Sequence, residues 1–370
     1  MKQNYTFDLI KFNNKFPLAS SIVKQVVFWI ISYSMLLYII HLVALSVFNV
    51  FDKNLKVNFW PVSLFVIIVS LFLGIGLGLL DGFLKKTFFK NLPLGANILI
   101  SSISYFLVLM VIISISRIII FGISDDFILY NSDIDFMLEE NWNYFNSILM
   151  VYTFFMSLVI SFVNQMNKKF GPGMLLPFLF GRFRYPREEE RIFMFLDLTS
   201  STEFAEKLGH IRYSELIQAS FLDINKKVKE FNAEIYQYVG DEVVISWPVQ
   251  GFKKAACVEF FFAVQELLVA RSEFYNAKIG VVSKFKAGLH VGLVTAVEVG
   301  DIKRDIAYHG DTLNVAARIE GLCNEYKASI LASGSIIEKG KLQGIFSTTS
   351  LGFKILQGRK NPIEIFSITK

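Results

Sequence analysis

The sequence predicts a chain of two parts, an all-α transmembrane bundle with four spans followed by an α+β domain with a mixed sheet. Of its 370 residues, 53% are hydrophobic, more than in an average soluble domain. Four uncharged runs in the first half each exceed the roughly 18 apolar residues of a spanning helix: 25–51, 57–80, 91–116 and 141–167. We therefore divide the chain into a membrane anchor at 1–167, a juxtamembrane linker at 168–190 and a second domain at 191–370.

The charges around these runs predict how the chain is oriented in a lipid bilayer. Lysines dominate before the first run, between the second and third runs, and after the fourth: Lys2, Lys11, Lys15, Lys24, Lys85, Lys86, Lys90, Lys168 and Lys169. The connection at 122–143 instead carries six acidic residues and no Lys or Arg. By the positive-inside rule, both termini and the second domain lie on the cytoplasmic side.

Cysteine usage and charge exclude several classes of protein. Cys257 and Cys323 are far apart and lack metal-ligand spacing, so neither a disulfide framework nor a zinc site is expected. The net charge of +5 comes without a basic block, so nucleic acid is not an expected partner. A receptor or transporter would need ionisable groups along a substrate path, and deep in the runs His41 alone qualifies. A neutral packing role for His41 is the simpler interpretation, and its function stays open.

The second domain reads as a strand-helix-strand-strand-helix-strand unit. Strand patterns lie at 191–198, 234–247, 284–299, 328–332 and 363–368, and helical patterns at 214–231, 253–275 and 311–326. The second strand pattern contains a tight turn at Gly240-Asp241. This order predicts an α/β sandwich with a mixed sheet of the ferredoxin-like type.

Two carboxylates stand where strands end. Asp197 closes the buried-strand pattern at 191–198, and Asp241 is at the tip of a hairpin. If these strands are neighbours, both side chains emerge at one edge of the sheet and suit Mg²⁺ or Mn²⁺. Such a pair can hold two ions about 4 Å apart. Taken singly, each aspartate is weak evidence for a metal site and is better explained as a structural cap.

Two further patterns suit a polyphosphate. Thr199, Ser200, Ser201 and Thr202 lead into a helix, whose N-terminal N–H groups and dipole favour anions and whose Ser and Thr are good caps. In a later helix, Asn314 and Arg318 are four residues apart and share a face. An amide beside a guanidinium suits charge developing on phosphorus, although a solvated surface pair has the same pattern.

Three segments occur in order in the second domain: FLDLTSST, YVGDEVVISW and GDTLNVAARIE. Together they resemble the catalytic domain of class III adenylate and guanylate cyclases, over about 190–368. Four spans joined to one such domain also resemble bacterial membrane-bound cyclases. The resemblance implies a multi-pass enzyme of the inner (cytoplasmic) membrane of a bacterium, which converts ATP into 3′,5′-cyclic AMP and pyrophosphate.

The resemblance also implies roles for single residues. Asp197 and Asp241 match the ligands of two divalent cations, Mg²⁺ or Mn²⁺. Asn314 matches the residue that positions the ribose, and Arg318 matches a contact to the phosphates. In this family the aspartates come from one catalytic domain and the Asn and Arg from another. A chain with one complete set is therefore expected to homodimerise head to tail.

The positions that match the family's base-selecting pair are unusual. They hold Gln237 and Ala307, where adenylate cyclases usually have Lys with Asp or Thr and guanylate cyclases have Glu and Cys. Asp305 replaces Ala307 if the strand is shifted by two residues. Arg359 and Lys360 lie where family members carry a basic contact to the triphosphate. ATP is the expected substrate; GTP, a pyrimidine triphosphate and a non-catalytic nucleotide-binding regulator are the alternatives.

Overall fold

The computed structural model describes residues 16–50, 59–87, 92–123, 139–171, 175–250, 255–342 and 344–370. The chain divides into two compact units, Met1–Leu176 and Pro177–Lys370. Most of the charged residues that predict the orientation, including Lys2, Lys90 and Asp125, lie outside the described residues.

The first unit contains the four predicted spans as helices: α1 (Pro17–Val50), α2 (Phe59–Thr87), α3 (Leu94–Ile123) and α4 (Glu139–Phe170). Each is long and apolar enough to cross a membrane. A helix suits lipid because it satisfies every backbone N–H and C=O internally, apart from its ends. The helices extend beyond the uncharged runs, and α2 includes Asp81.

Glycines at four-residue spacing bring α2 against α1. A Cβ on Gly74 would lie 2.4 Å from the Cα of Val26, and one on Gly78 would lie 2.5 Å from the Cα of Ile22. Small residues at this spacing let membrane helices approach closely, which increases van der Waals contact where the hydrophobic effect is absent. The sequence pattern GIGLG at 74–78 thus sets the distance between α1 and α2.

Hydrogen bonds and a ring contact link the helices of the first unit at several points along α1. The carboxylate of Asp81 is 3% exposed and accepts the hydroxyl of Ser21 at 2.5 Å and that of Tyr105 at 3.0 Å. The hydroxyls of Tyr33 and Thr153 are 3.1 Å apart and link α1 to α4. His41 packs its ring against Phe59, with the centroids 4.7 Å apart.

A short helix, α5 (Leu175–Leu179), spans the boundary between the two units, and the second unit contains eight strands within the described residues. The strands are β1 (Arg187–Leu198), β2 (Glu234–Val239), β3 (Glu242–Pro248), β4 (Phe285–Val299), β5 (Asp305–His309), β6 (Ile330–Ser333), β7 (Ser347–Lys354) and β8 (Ile363–Thr369). The helices between them are α6 (Ser201–Glu230), α7 (Ala256–Ala270), α8 (Ser272–Lys278), α9 (Asp311–Gly321) and α10 (Gly334–Gly340).

These strands form one mixed sheet with the order β2-β3-β1-β4-β6-β8-β7, and β5 pairs with β4. All pairings are antiparallel except that of β4 with β6. Because side chains alternate along a strand, β1 supplies both faces. Its even-numbered residues Ile192, Met194, Leu196 and Leu198 join a core with α6 and α7, and Phe193 packs on the opposite face with α9.

The approach of α9 to β4 depends on two glycines. A Cβ on Gly288 would lie 2.2 Å from the backbone N of Glu320, and one on Gly292 would lie 2.6 Å from the Oγ of Thr312. Any side chain at Gly288 would push α9 away, since the obstacle is backbone. Gly288 and Gly292 therefore determine where the residues of α9 are placed.

Several predicted boundaries differ from the observed ones. β1 begins at Arg187 and α4 ends at Phe170, so both ends of the predicted linker belong to regular elements. The helix predicted at 214–231 begins at Ser201 and is interrupted at Gly209, which has a φ of 70°. The helix predicted at 253–275 is two helices, α7 and α8, with 251–254 outside the described residues. Neither β7 nor α10 is predicted from the sequence, and no residue of β7 is fully buried.

The close contact between α1 and α2 is tested by adding one methyl group to each of two glycines. Gly78→Ala is expected to lower the apparent melting temperature of the detergent-solubilised protein, because the methyl group meets the α1 backbone. Gly76→Ala, on the same helix but with open space around it, is expected to be neutral or stabilising, since Ala favours a helix by about 1 kcal/mol over Gly. A decrease of equal size in both variants would contradict close packing at Gly78.

Candidate active site

The two predicted metal ligands lie together at one edge of the sheet. Asp197 is opposite Glu242 of β3 in the register, and Asp241 precedes Glu242 in the turn that joins β2 to β3. Gly240, with a φ of 61°, supplies the left-handed backbone that this tight turn needs. Burial and the nearby charge of Asp241 raise the pKa of Asp197. The structure thus brings Asp197 and Asp241 together, as the sequence predicts.

The surroundings of these aspartates fit a divalent cation. Glu242 adds a third acidic group, whose pKa is raised to about 7 by burial and by the charges of Asp197, Glu320 and Asp241. In the described part of the chain, no three His, Cys, Asp or Glu side chains are arranged to hold a metal ion. Mg²⁺ is commonly bound by one or two carboxylates plus water and substrate phosphate, and a pair of aspartates suits that mode.

A lysine that the sequence analysis missed compensates this negative charge. The Nζ atom of Lys286 lies 3.3 Å from the carboxylate of Asp197 and 2.9 Å from that of Glu320. Lys286 is opposite Asp197 in the pairing of β1 with β4. This neighbour depends on the register between strands distant in sequence, which a single sequence does not reveal. Lys286 is therefore a candidate functional residue that links the aspartates to α9.

The predicted phosphate-binding loop joins β1 to α6. Its Thr199 N–H donates to the carbonyl of Lys284 at 2.8 Å, which fixes the loop beside β4. Ser200 occupies the N-cap position with a φ of 58° and makes no side-chain cap hydrogen bond. The predicted Ser/Thr cap is therefore wrong at Ser200, because its left-handed backbone differs from the extended one of a capping residue. The N–H groups of Ser201 and Thr202 lie in the first turn, where a helix offers them no partner.

Asn314 and Arg318 lie on α9, but not on the flank of this helix that meets the aspartates. Asn314 is exposed and Arg318 half-buried. Arg318 and Glu320 are two positions apart on the helix, so their side chains point roughly 160° apart around its axis. Glu320 is the residue that shares Lys286 with Asp197. Arg318 therefore faces away from the aspartates of its own chain.

The loop between β7 and β8 covers this second flank. The Nε atom of Arg359 lies 3.0 Å from the carboxylate of Asp311, at the start of α9. A Cβ on Gly358 would lie 3.5 Å from Nη2 of Arg318, so the guanidinium of Arg318 is beside this loop. Lys360 is exposed. The structure thus places Arg318 and Arg359 near one another and gathers a basic group around α9.

The two positions of the base-selecting pair lie on strands at different places in the sheet. Gln237 is exposed on β2 and follows a bulge at Tyr236. Ala307 is half-buried on β5, opposite Val297. Asp305 is exposed, and its carboxylate accepts the backbone N–H of Ile306 at 2.9 Å.

Residues 184–370 match the family described as the adenylate and guanylate cyclase catalytic domain. The match covers half of the chain and all the predicted site residues, and the chain belongs to this family. With it, the predicted fold of a four-helix membrane anchor and a class III cyclase domain is confirmed.

The chain is also similar to individual proteins. The chain is 33% identical to adenylate cyclase 2 of Rhizobium meliloti (strain 1021) over 60% of its own length and 61% of that protein. It is 28% identical to adenylate cyclase 1 of the same organism over 47% of its length and 27% of that protein. The chain thus spans less than two thirds of either relative. The crystal structure of the adenylyl cyclase CyaB from P. aeruginosa matches with 18% identity and a TM-score of 0.44, over 50% of this chain and 96% of that one.

The role of Lys286 is tested by measuring how Mn²⁺ changes the apparent melting temperature, without an activity assay. In Lys286→Met, Asp197 and Glu320 lose their shared cation. With EDTA, we expect the apparent melting temperature to fall by about 2–4 °C. We also expect added Mn²⁺ to raise it more than in the wild type, since the cation relieves a larger repulsion. Lys284→Met, on an exposed side chain two residues away, is the control and should leave both values unchanged. A smaller response to Mn²⁺ in Lys286→Met would contradict this role.

The pH dependence of stability is expected to depend on His290. Its Nδ1 lies 2.8 Å from the hydroxyl of Ser333, and burial, with the charge of Arg359 adding to it, lowers its pKa to about 4. Between pH 6.5 and 4 the unfolded chain then binds the extra proton, so stability falls as the pH falls through this window. His290→Asn should lose less stability than the wild type between pH 7 and 5, as followed by thermal melts. His210→Asn, at an exposed site, should behave as the wild type. Equal slopes in all three proteins would mean that folding does not shift the pKa of His290 and would contradict this prediction.

Proposed function

We propose that this chain is a membrane-bound nucleotide cyclase that converts ATP into 3′,5′-cyclic AMP and pyrophosphate at a homodimer interface. The observation that supports this most is the placement of Asp197 and Asp241 side by side at the sheet edge, next to the start of α6. In this reaction the ribose 3′-hydroxyl attacks the α-phosphorus, the bond from that phosphorus to the bridging oxygen breaks, and the hydroxyl proton leaves to a base or to water.

Each group has a chemical task in this proposal. Asp197 and Asp241 would hold two divalent cations, Mg²⁺ or Mn²⁺, which would activate the 3′-hydroxyl and neutralise phosphate charge when bound. The N–H groups at 199–202 bind phosphate oxygens at the start of α6. Asn314 orients the ribose, and Arg318 stabilises charge on the pentacoordinate phosphorus.

A second copy of the chain is needed because one copy separates these groups. Arg318 points away from the flank of α9 that meets Asp197 through Glu320 and Lys286. A head-to-tail dimer places the aspartates of one protomer opposite the Asn314 and Arg318 of its partner and gives two equivalent sites. Arg359 lies on the same flank as Arg318, and Lys360, the next residue, is exposed; both would contact the triphosphate in this proposal.

The proposal that the substrate is ATP rests on the names of the relatives and on the hydrogen-bonding capacity of Gln237. Both curated relatives described above carry the name adenylate cyclase, which favours ATP. Gln237 donates and accepts hydrogen bonds, whereas Ala307 does neither through its side chain. GTP and the pyrimidine triphosphates are therefore assayed beside ATP. A protein that binds nucleotide with metal and forms no product would instead be a regulator.

We place the protein in the inner membrane of a bacterium, with its termini and catalytic domain in the cytoplasm. The lysine-rich segments flank the cytoplasmic ends of the four spans, and the acidic connection at 122–143 lies outside. This orientation also gives the catalytic domain access to the cytoplasmic nucleotide pool.

The activity and the dimer are tested together by complementation. Full-length Asp241→Ala and Arg318→Ala chains, each inactive alone, are co-expressed with different tags and assayed for cyclic nucleotide with ATP, GTP, CTP and UTP by mass spectrometry. A mixed dimer keeps one intact site, so random pairing should restore about a quarter of wild-type activity. Co-expressed Asp241→Ala and Asp197→Ala chains are the control and should stay inactive, because both changes affect the same half-site. No recovery despite isolated mixed dimers would contradict a shared site.

A further inference from the structure

The base-selecting positions contain one hydrogen-bonding side chain, that of Gln237. Its amide carries both a donor and an acceptor, and rotation of the amide exchanges them. Discrimination between purines by such a residue depends on how firmly its strand is held relative to the other side of the base pocket. The contacts that hold β2 against β5 are therefore candidates for control of base selectivity.

β2 is an edge strand of the sheet, and its pairing with β3 is interrupted by a bulge. Ile235 pairs with Ile245, whereas Gln237 pairs with Val244, so Tyr236 is the extra residue. A bulge bends its strand and turns side chains in new directions. Here it brings Tyr236 onto the face of the sheet that packs against α9.

From that position Tyr236 contacts β5 directly. Its hydroxyl accepts the backbone N–H of Tyr308 at 3.3 Å, and the two rings meet edge to face with centroids 5.1 Å apart. Phe193 of β1 packs against both rings. Tyr236 precedes Gln237 and Tyr308 follows Ala307, so this contact joins the two strands one residue from each base-selecting position.

A buried cation supports the same arrangement. Arg191 is 4% exposed, forms an ion pair with Glu234 of β2, and lies 5.0 Å from the ring centroid of Tyr308. It therefore contacts both β2 and β5 from the central strand. Glu234 is two residues before Tyr236. The edge strand β2 is thus held by two anchors close to Gln237: the contact of Tyr236 with Tyr308, and the ion pair of Glu234 with Arg191.

We propose that Tyr236 is a positioning residue for base selectivity. Its hydroxyl holds the β5 backbone at Tyr308 and so fixes the distance between Gln237 and β5. The inference rests on the proposed cyclase activity and concerns how that site distinguishes one purine triphosphate from another. A phenylalanine at Tyr236 would keep the ring packing and remove only the hydrogen bond.

The test compares Tyr236→Phe with Tyr238→Phe in the full-length protein, by measuring kcat/KM for ATP and for GTP. We expect Tyr236→Phe to lower the ratio of the preferred to the other purine nucleotide by about three- to tenfold, the effect of one neutral hydrogen bond. The melting temperature should fall by no more than about 2–4 °C. Tyr238 is the matched control: its hydroxyl donates to Asn225 at 2.8 Å and its ring packs on Phe221 of α6. Tyr238→Phe should keep the wild-type ratio.

Glu234→Gln weakens the second anchor and is expected to change the ratio in the same direction. An equal loss of kcat/KM for both nucleotides, or an unchanged ratio in both variants, would mean that these residues only stabilise the fold and would overturn the inference. A wild-type protein that forms no cyclic product contradicts the proposed function itself. The two failures are thus distinguishable, because only the second removes activity from the unmodified chain.

Discussion

The arrangement of the candidate site depends on the backbone contact between α9 and β4 at Gly288. The helix crosses the strand with no room for a Cβ atom, so its height and rotation above the sheet are fixed by backbone rather than by adjustable side chains. Glu320 is then held above Lys286, and Arg318 is turned to the other flank. The division of the site into an acidic half and a basic half follows from this one contact.

Electrostatics reinforces this arrangement. Burial raises the pKa of Glu242, and the charges of Asp197, Glu320 and Asp241 raise it further. Burial and the charge of Asp241 also raise the pKa of Asp197, and burial and the charges of both aspartates raise that of Glu320. Lys286 is shared between Asp197 and Glu320, and these two ion pairs connect strand to helix across the sheet face. Because both carboxylates are at least half-buried, the charges interact more strongly than surface ion pairs. Lys286 therefore offsets part of the repulsion among these carboxylates.

The sequence predicted features that depend on composition or on local pattern. The four spans follow from their uncharged length, and the positions of Asp197 and Asp241 follow from a strand end and a tight turn. It did not predict Lys286 and Glu320 as neighbours of Asp197, since this requires the register of β1 with β4 and the rotation of α9. β7 was missed because its sequence STTSLGFK lacks clear alternation, in keeping with its exposed faces. β1 begins earlier than predicted because the charged segment 187–190 pairs with β4 at an exposed end.

Because Lys286 is shared between Asp197 and Glu320, the acidic half of the site can fold without a bound metal ion. Many metal sites fold only when the ion is present, because their ligands repel one another without it. Here an internal counterion performs that task, so the acidic half of the site takes its shape during synthesis regardless of the metal supply. Under the proposed two-metal activity, scarcity of Mg²⁺ or Mn²⁺ would slow turnover without reducing the amount of folded protein. Restoring the ion would then restore activity without new synthesis.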